Sequence, residues 1–140
     1  MNPKLGDVFA DSVFWIGLVN RRDQHHASAA AWSPHVGGTI ITTNLVLAET
    51  ANAVSKKSFR KRAGEFIDHV LSNPGIRVIT CTETLFLQGL RLFRDRLDKE
   101  WSLIDCVSFV VMEEQGLTDS LTSDDHFRQA GYRALLLEEP

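Results

Sequence analysis

Short apolar runs alternate along the chain with longer stretches that repeat on a helical period. Residues 7–10 form a brief apolar run that ends at an acid, Asp11. The apolar residues from Val13 to Val19 are too many to belong to the same strand. The pattern therefore predicts a buried strand to about Ala10, a turn, and a helix capped near Asp11 or Ser12. Residues 24–32 predict a second helix, stopped by Ser33-Pro34. After a turn at Gly37-Gly38, the β-branched residues 39–42 predict a strand. Thr43-Asn44 then cap a helix over 45–54, with Glu49 in its second turn. A helix over 62–71 ends before Asn73-Pro74-Gly75, and 76–79 predict a third strand.

Thr82 caps a long helix with Glu83 in its first turn and a wide apolar face of Leu85, Leu87, Leu90, Leu92 and Phe93. Residues 102–112 read as an apolar helix that runs on to a glycine stop at Gly116. Residues 119–122 predict a strand, 123–131 a brief helix closed by Gly131, and 132–137 a last strand. Five short strands alternating with helices predict an α/β three-layer sandwich around a central, mainly parallel five-stranded sheet.

Composition sharpens this picture. A chain of 140 residues, 44% hydrophobic and 24% charged, has the profile of one soluble globular domain spanning 1–140. Only the first few residues and 138–140 read as loose ends. No apolar run approaches a membrane span and no cleavable leader is legible, so the expected location is the cytoplasm, with no membrane partner. Cys81 and Cys106 fall in predicted core segments and lack the spacing of a metal or redox pair, so buried free thiols are expected. Trp15, Trp32 and Trp101 read as core or interface residues, and His25 and His26 as the start of a surface helix.

The net charge of −3 speaks against gripping nucleic acid by bulk electrostatics. The balance changes if some acids converge on a cation, because the remaining surface is then slightly basic. The one basic run, Lys56, Lys57, Arg60, Lys61 and Arg62, is by default a solvated loop and helix start. Its functional alternative is a contact for RNA phosphates or for an acidic partner.

The candidate chemistry lies in the acids. Asp105 is the lone acid at the start of an otherwise apolar helix, and ionised carboxylates are rarely buried without a partner or a metal. The bland alternative is a first-turn Asp that favours the helix dipole and cap. Asp11 and Asp124 follow predicted strands at their carboxyl ends, where open α/β sheets bind ligands. Glu49 sits among apolar neighbours on its helix. Four carboxylates facing one cleft would repel unless cations compensate. With no convergent His or Cys set in view, oxygen ligands point to Mg²⁺ or Mn²⁺ rather than zinc. Such a site suits phosphodiester hydrolysis by a metal-activated water. Ser12, Asn44 and Ser102 stand beside these acids and either orient ligands or simply cap helices.

Four segments carry a family likeness: residues 9–12 (Phe-Ala-Asp-Ser), 43–49, 101–109 and 121–132. In this order, and across nearly the whole chain, they resemble PIN-domain nucleases, and most of all the VapC-type toxins of toxin–antitoxin pairs. The resemblance implies a Mg²⁺- or Mn²⁺-dependent endoribonuclease with acids at Asp11, Glu49, Asp105 and Asp124. It implies an RNA substrate, a cognate antitoxin whose tail enters the active-site groove, and a homodimer. Within the doublet, the family pattern selects Asp124 and leaves Asp125 a possible role through water. His126 reads as a packed residue beside Phe127 rather than a general base.

Four rivals remain. One is a PIN-domain nuclease that processes RNA without being a toxin, and another is a non-catalytic RNA-binding or scaffold PIN domain. A phosphoryl-accepting signalling domain would want an acceptor Asp after the middle strand, where Thr80-Cys81 stand, and a Lys after the last strand, where acids follow. A haloacid-dehalogenase-like phosphatase would want a second Asp two residues after Asp11, where Val13 stands.

Overall fold

The computed structural model describes residues 4–140. Five strands form one sheet: β1 (Val8–Ala10), β2 (Ile40–Thr43), β3 (Ile76–Ile79), β4 (Asp119–Leu121) and β5 (Arg133–Ala134). Their order is β3-β2-β1-β4-β5 and every pairing is parallel. The expected α/β sandwich is present, with a sheet that is wholly rather than mainly parallel. Val8, Phe9 and Ala10 are fully buried, as a central parallel strand covered on both faces requires.

Among the described residues, seven α-helices flank the sheet: α1 (Ser12–Val19), α2 (His26–Trp32), α3 (Asn44–Ala53), α4 (Arg60–Ser72), α5 (Glu83–Asp95), α6 (Leu103–Gln115) and α7 (Asp125–Gln129). Right-handed crossovers from β1 to β2 to β3 carry α1–α4 on one face. The return past β1 to β4 and β5 puts α5–α7 on the other, where α5 packs on α6 and α6 on α7. The chain thus leaves the neighbouring strands β1 and β4 toward opposite faces. A crevice opens at the carboxyl ends of two such strands, and Asp11 and Asp124 follow those two strands directly.

Two features hold the second face close. Phe9, Phe109 and Phe127 interlock, with ring centroids 4.9 Å apart for Phe109–Phe127 and 6.2 Å for Phe9–Phe127. Burying each such ring contributes roughly 1.5–3 kcal/mol. Gly89 lets α5 approach α6 so closely that an added Cβ would stand 2.5 Å from Val107 Cγ2. Gly116 closes α6 at φ 66°, the left-handed conformation that glycine adopts without strain.

The structure departs from the sequence reading in three places. The last strand holds only two residues, and Leu135–Leu137 turn into a 3-10 helix. The Leu136 N–H bonds to Thr122 O at 3.0 Å, and both Leu135 and Leu136 are buried, which a straight edge strand would not achieve. Cys81 is half-buried, although both thiols are free as expected. Glu138 is not loose: the Arg133 guanidinium holds its carboxylate at 2.9 Å and Trp32 Nε1 donates to its carbonyl at 3.0 Å. The first three residues, expected to be loose, lie outside the described residues. Trp15, Trp32 and Trp101 are core residues, each 5% exposed or less. Among the described residues, no helix is long and apolar enough to cross a membrane.

Candidate metal and catalytic centre

Three of the four candidate acids stand at helix starts, where the dipole and free amides favour negative charge. Asp124 is the N-cap of α7, and its Oδ1 accepts from the His126 N–H at 2.9 Å. Asp105 lies in the first turn of α6 in a reciprocal capping box with Ser102. Its amide donates to Ser102 Oγ at 3.0 Å, and its Oδ2 accepts from the Ser102 N–H at 3.2 Å. Asp11 is the N-cap of α1, yet its side chain makes no cap bond. Its Oδ2 accepts instead from Thr122 Oγ1, at 3.1 Å across the β1–β4 junction. Thr122 Oγ1 in turn accepts from the Asp124 N–H at 3.0 Å, so one hydroxyl links the two aspartates.

Asp11 is 3% exposed and Asp105 8% exposed. Burial pushes the Asp11 carboxyl up to about 7, against the Ser12 amide and Thr122 hydroxyl and with the help of the Asp105 and Glu49 charges. The charges of Asp105 and Glu49 are near enough to add to this rise, although neither Asp11 nor Glu49 falls in the tight group of possible ligand atoms found among the described residues. Glu49, half-buried on α3, accepts from Ser12 Oγ at 2.5 Å. This bond pins α3 to the start of α1 and aims Glu49 toward the aspartates.

His126 corrects the reading of a packed family histidine and the expectation that no His joins the acids. Its Nδ1 lies 3.0 Å from Asp105 Oδ2 and 3.5 Å from Asp124 Oδ1. These three residues can each offer one ligand atom within 4.8 Å of the others. Burial alone would lower the His126 pKa. The hydrogen bond to Asp105 and the charges of Asp124, Asp105 and Glu100 outweigh it and hold the imidazole above its usual range.

The other candidates separate. Asp125 is exposed and its Oδ2 accepts from Gln129 Nε2, away from the cluster. Asn44 neither caps α3, a role taken by Thr43 Oγ1, nor contacts an acid. Its Oδ1 accepts from the Cys81 N–H at 2.8 Å and ties the exit of β3 to α3. Ser102 serves as the ordinary cap. Lys56, Lys57, Arg60, Lys61 and Arg62 are exposed beyond the far end of α3. His25 and His26 do not simply open a surface helix: His25 Nε2 meets Ser123 Oγ at 3.3 Å and His26 Nδ1 meets Gly17 O at 2.7 Å. Thr122 was not singled out from the sequence, because a Thr ending a strand carries no chemical signal by itself.

The donor set suits a hard divalent ion. Among the described residues, no Lys or Arg comes within ion-pair distance of Asp11, Glu49, Asp105 or Asp124. A buried acid with two acid neighbours and no cationic side chain calls for a cation from solution. Carboxylate oxygens are the ligands that Mg²⁺ and Mn²⁺ favour.

A family model for the PIN domain matches residues 8–131. The chain belongs to the PIN domain family. The likeness stated on sequence grounds is therefore correct, and it extends to VapC-type members. The 23S rRNA-specific endonuclease VapC20 of Mycobacterium tuberculosis is 28% identical over 125 residues, which span 89% of this PIN domain chain and 95% of that protein. The crystal structure of M. tuberculosis VapC20, described as a sarcin-ricin loop cleaving toxin, aligns with a TM-score of 0.85 at 26% identity, covering 95% of this chain and 99% of that one. VapBC2 of Rickettsia felis, solved with a DNA fragment from its promoter, aligns with a TM-score of 0.64 at 15% identity, covering 91% and 96%. FitAcB of Neisseria gonorrhoeae aligns at 0.63 and 15%, covering 91% and 94%. At that identity the last two speak for the PIN fold alone.

Proposed function

We propose that this PIN domain, one unit across residues 1–140, is a Mg²⁺- or Mn²⁺-dependent endoribonuclease and the toxin of a type II toxin–antitoxin pair. The observation that carries the proposal is Asp11: 3% exposed, raised by the charges of Asp105 and Glu49, and with no Lys or Arg partner among the described residues. Asp11, Asp105 and Asp124 hold the ion, and Glu49, fixed by Ser12, completes the acidic ring. A divalent ion held there would supply positive charge against the scissile phosphoryl oxygens and would lower the pKa of a bound water.

The chain's own part is positioning. The Thr122 hydroxyl holds Asp11 and the loop to Asp124 in one register. The capping box fixes the Asp105 rotamer before substrate arrives. His126, hydrogen-bonded to Asp105, offsets negative charge when the acidic ring is otherwise uncompensated. The rRNA specificity in the name of the VapC20 relative makes a ribosomal RNA loop the first substrate to try. A cognate antitoxin, a homodimer and a cytoplasmic location belong to the same reading.

The test is incubation of the purified protein with ribosomal RNA in Mg²⁺, in Mn²⁺ and in EDTA. Discrete cleavage products that need the metal support the proposal. No cleavage under any metal condition, by protein freed of its antitoxin, overturns it.

A further inference from the structure

The α1–α4 face carries a second constellation, remote from the carboxylates. The loop after α1 holds Arg21 and Arg22, the loop after α3 holds Lys56 and Lys57, and α4 opens with Arg60, Lys61 and Arg62. A small apolar cluster separate from the main core, Val19, Val54 and Ala63 flanked by Ile16, Phe59 and Phe66, clamps these segments together. Over it lie two adjoining clefts. One of about 330 Å³ is lined by Asn20, Arg21, Arg22, Phe59 and Arg62. The other, of about 350 Å³, shares Arg21 and Arg62 and continues along Leu18, Val19 and Phe66.

Among the described residues, none of Arg21, Arg22, Lys56, Lys57, Arg60 and Arg62 has a carboxylate within ion-pair distance, and Lys61 reaches only Glu65, at 4.0 Å. Like charges gathered on a rigid floor repel, and an anion between them removes that cost. Guanidinium forks match phosphate oxygens two at a time. Phe59, half-buried in the cleft wall, offers a ring face on which an unpaired base can stack. The same helix joins this groove to the acids. α1 begins at Asp11 and Ser12, and its eight residues span about 12 Å at 1.5 Å per residue. That is too far for the arginines to touch the phosphate being cut, and within reach of the same strand.

We infer that single-stranded RNA extending from the acidic ring reaches this groove, where Arg21, Arg22 and Arg62 hold its phosphates and Phe59 supports a base. The inference rests on the nuclease reading and deepens it by naming how substrate flanking the cut is gripped. An acidic protein segment would be drawn to the same charges. The aromatic wall and the distance to the acids, the length of one short helix, favour RNA.

The experiment compares wild type with the R21A/R22A/R62A triple variant and its lysine counterpart, R21K/R22K/R62K. Fluorescent oligouridylate binding is followed against salt in EDTA, and ribosomal RNA cleavage is followed in Mg²⁺. Loss of three phosphate contacts lowers the slope of log affinity against log salt by about 2, at about 0.7 per contact for single strands. The alanine variant is expected to bind at least about tenfold more weakly, to cleave with raised KM and unchanged kcat, and to melt as wild type does. The lysine variant recovers most of the salt slope. Wild-type affinity and slope in the alanine variant overturn the inference, and so does a variant that keeps RNA binding but loses binding of polyglutamate. If wild type binds oligouridylate through these arginines yet cleaves no RNA, the groove stands and the nuclease reading falls.

Discussion

The imidazole of His126 is hydrogen-bonded to the carboxylate of Asp105, Nδ1 to Oδ2, at 3.0 Å. It is the only cationic side chain within reach of the acidic ring among the described residues. Without metal, the carboxylates hold the ring protonated above its usual range, against the effect of burial. A divalent ion among the same carboxylates reverses the local field. In NMR titrations the His126 pKa should therefore exceed that of an ordinary histidine in EDTA and fall when Mg²⁺ is added. His126→Ala should fold and lose about 10- to 100-fold in metal affinity or cleavage, the scale of groups that orient ligands. A His126 titration that ignores Mg²⁺ would place the ion elsewhere.

Asp11 makes the metal-free protein sensitive to pH. Its folded pKa of about 7 lies above the ordinary carboxylate value of 3.8. For an acid raised in this way, the folded state binds the extra proton, so stability falls as pH rises from about 4 through 7. His126, also raised, loses its stabilising charge as pH climbs through its folded pKa, in the same direction. Melting in EDTA should occur at a lower temperature at pH 8 than at pH 6. Mg²⁺ should raise the melting temperature more at pH 8, where Asp11 has no proton to release. Equal metal-induced shifts at the two pH values would contradict the buried-acid account.

Two glycines predict opposite signs. Gly89→Ala drives a Cβ to 2.5 Å from Val107 Cγ2 and 3.2 Å from its backbone, so α5 must lift from α6. The expected loss is roughly 1–3 kcal/mol, more than the gain in helix propensity returns. Gly64→Ala, exposed on α4 with nothing within 4 Å, should instead stabilise by up to about 1 kcal/mol. Chemical denaturation of the pair measures both. Equal effects would refute the close α5–α6 contact.

Much of the fold was legible because β1, β2 and β3 are short runs of apolar and β-branched residues, and several helices open on a capping residue. Thr43, Thr82 and Ser102 all cap where the sequence places a helix start. The run Leu135–Leu137 misled because three leucines fit a strand as well as a 3-10 turn, and only the Thr122 carbonyl decides between them. Asp11 and Asp105 stood out as acids at the edges of apolar runs. The family pattern already chose Asp124 over Asp125, and in the structure one caps α7 while the other faces Gln129 and solvent. The Ser12–Glu49 bond, Thr122 and His126 were beyond the sequence because each joins residues from different elements. Their roles depend on how α1, α3, α6 and α7 are rotated about the β1–β4 crevice.

The central claim is that Asp11, Glu49, Asp105 and Asp124 share one divalent ion that RNA cleavage requires. Calorimetric Mn²⁺ titration of wild type and of Asp11→Asn, each checked for folding, tests it most directly. The account predicts Mn²⁺ binding by wild type and its loss by about 100-fold or more in the variant, with a matching loss of cleavage on the scale of several kcal/mol. Undiminished Mn²⁺ binding and full metal-dependent cleavage by folded Asp11→Asn would contradict it.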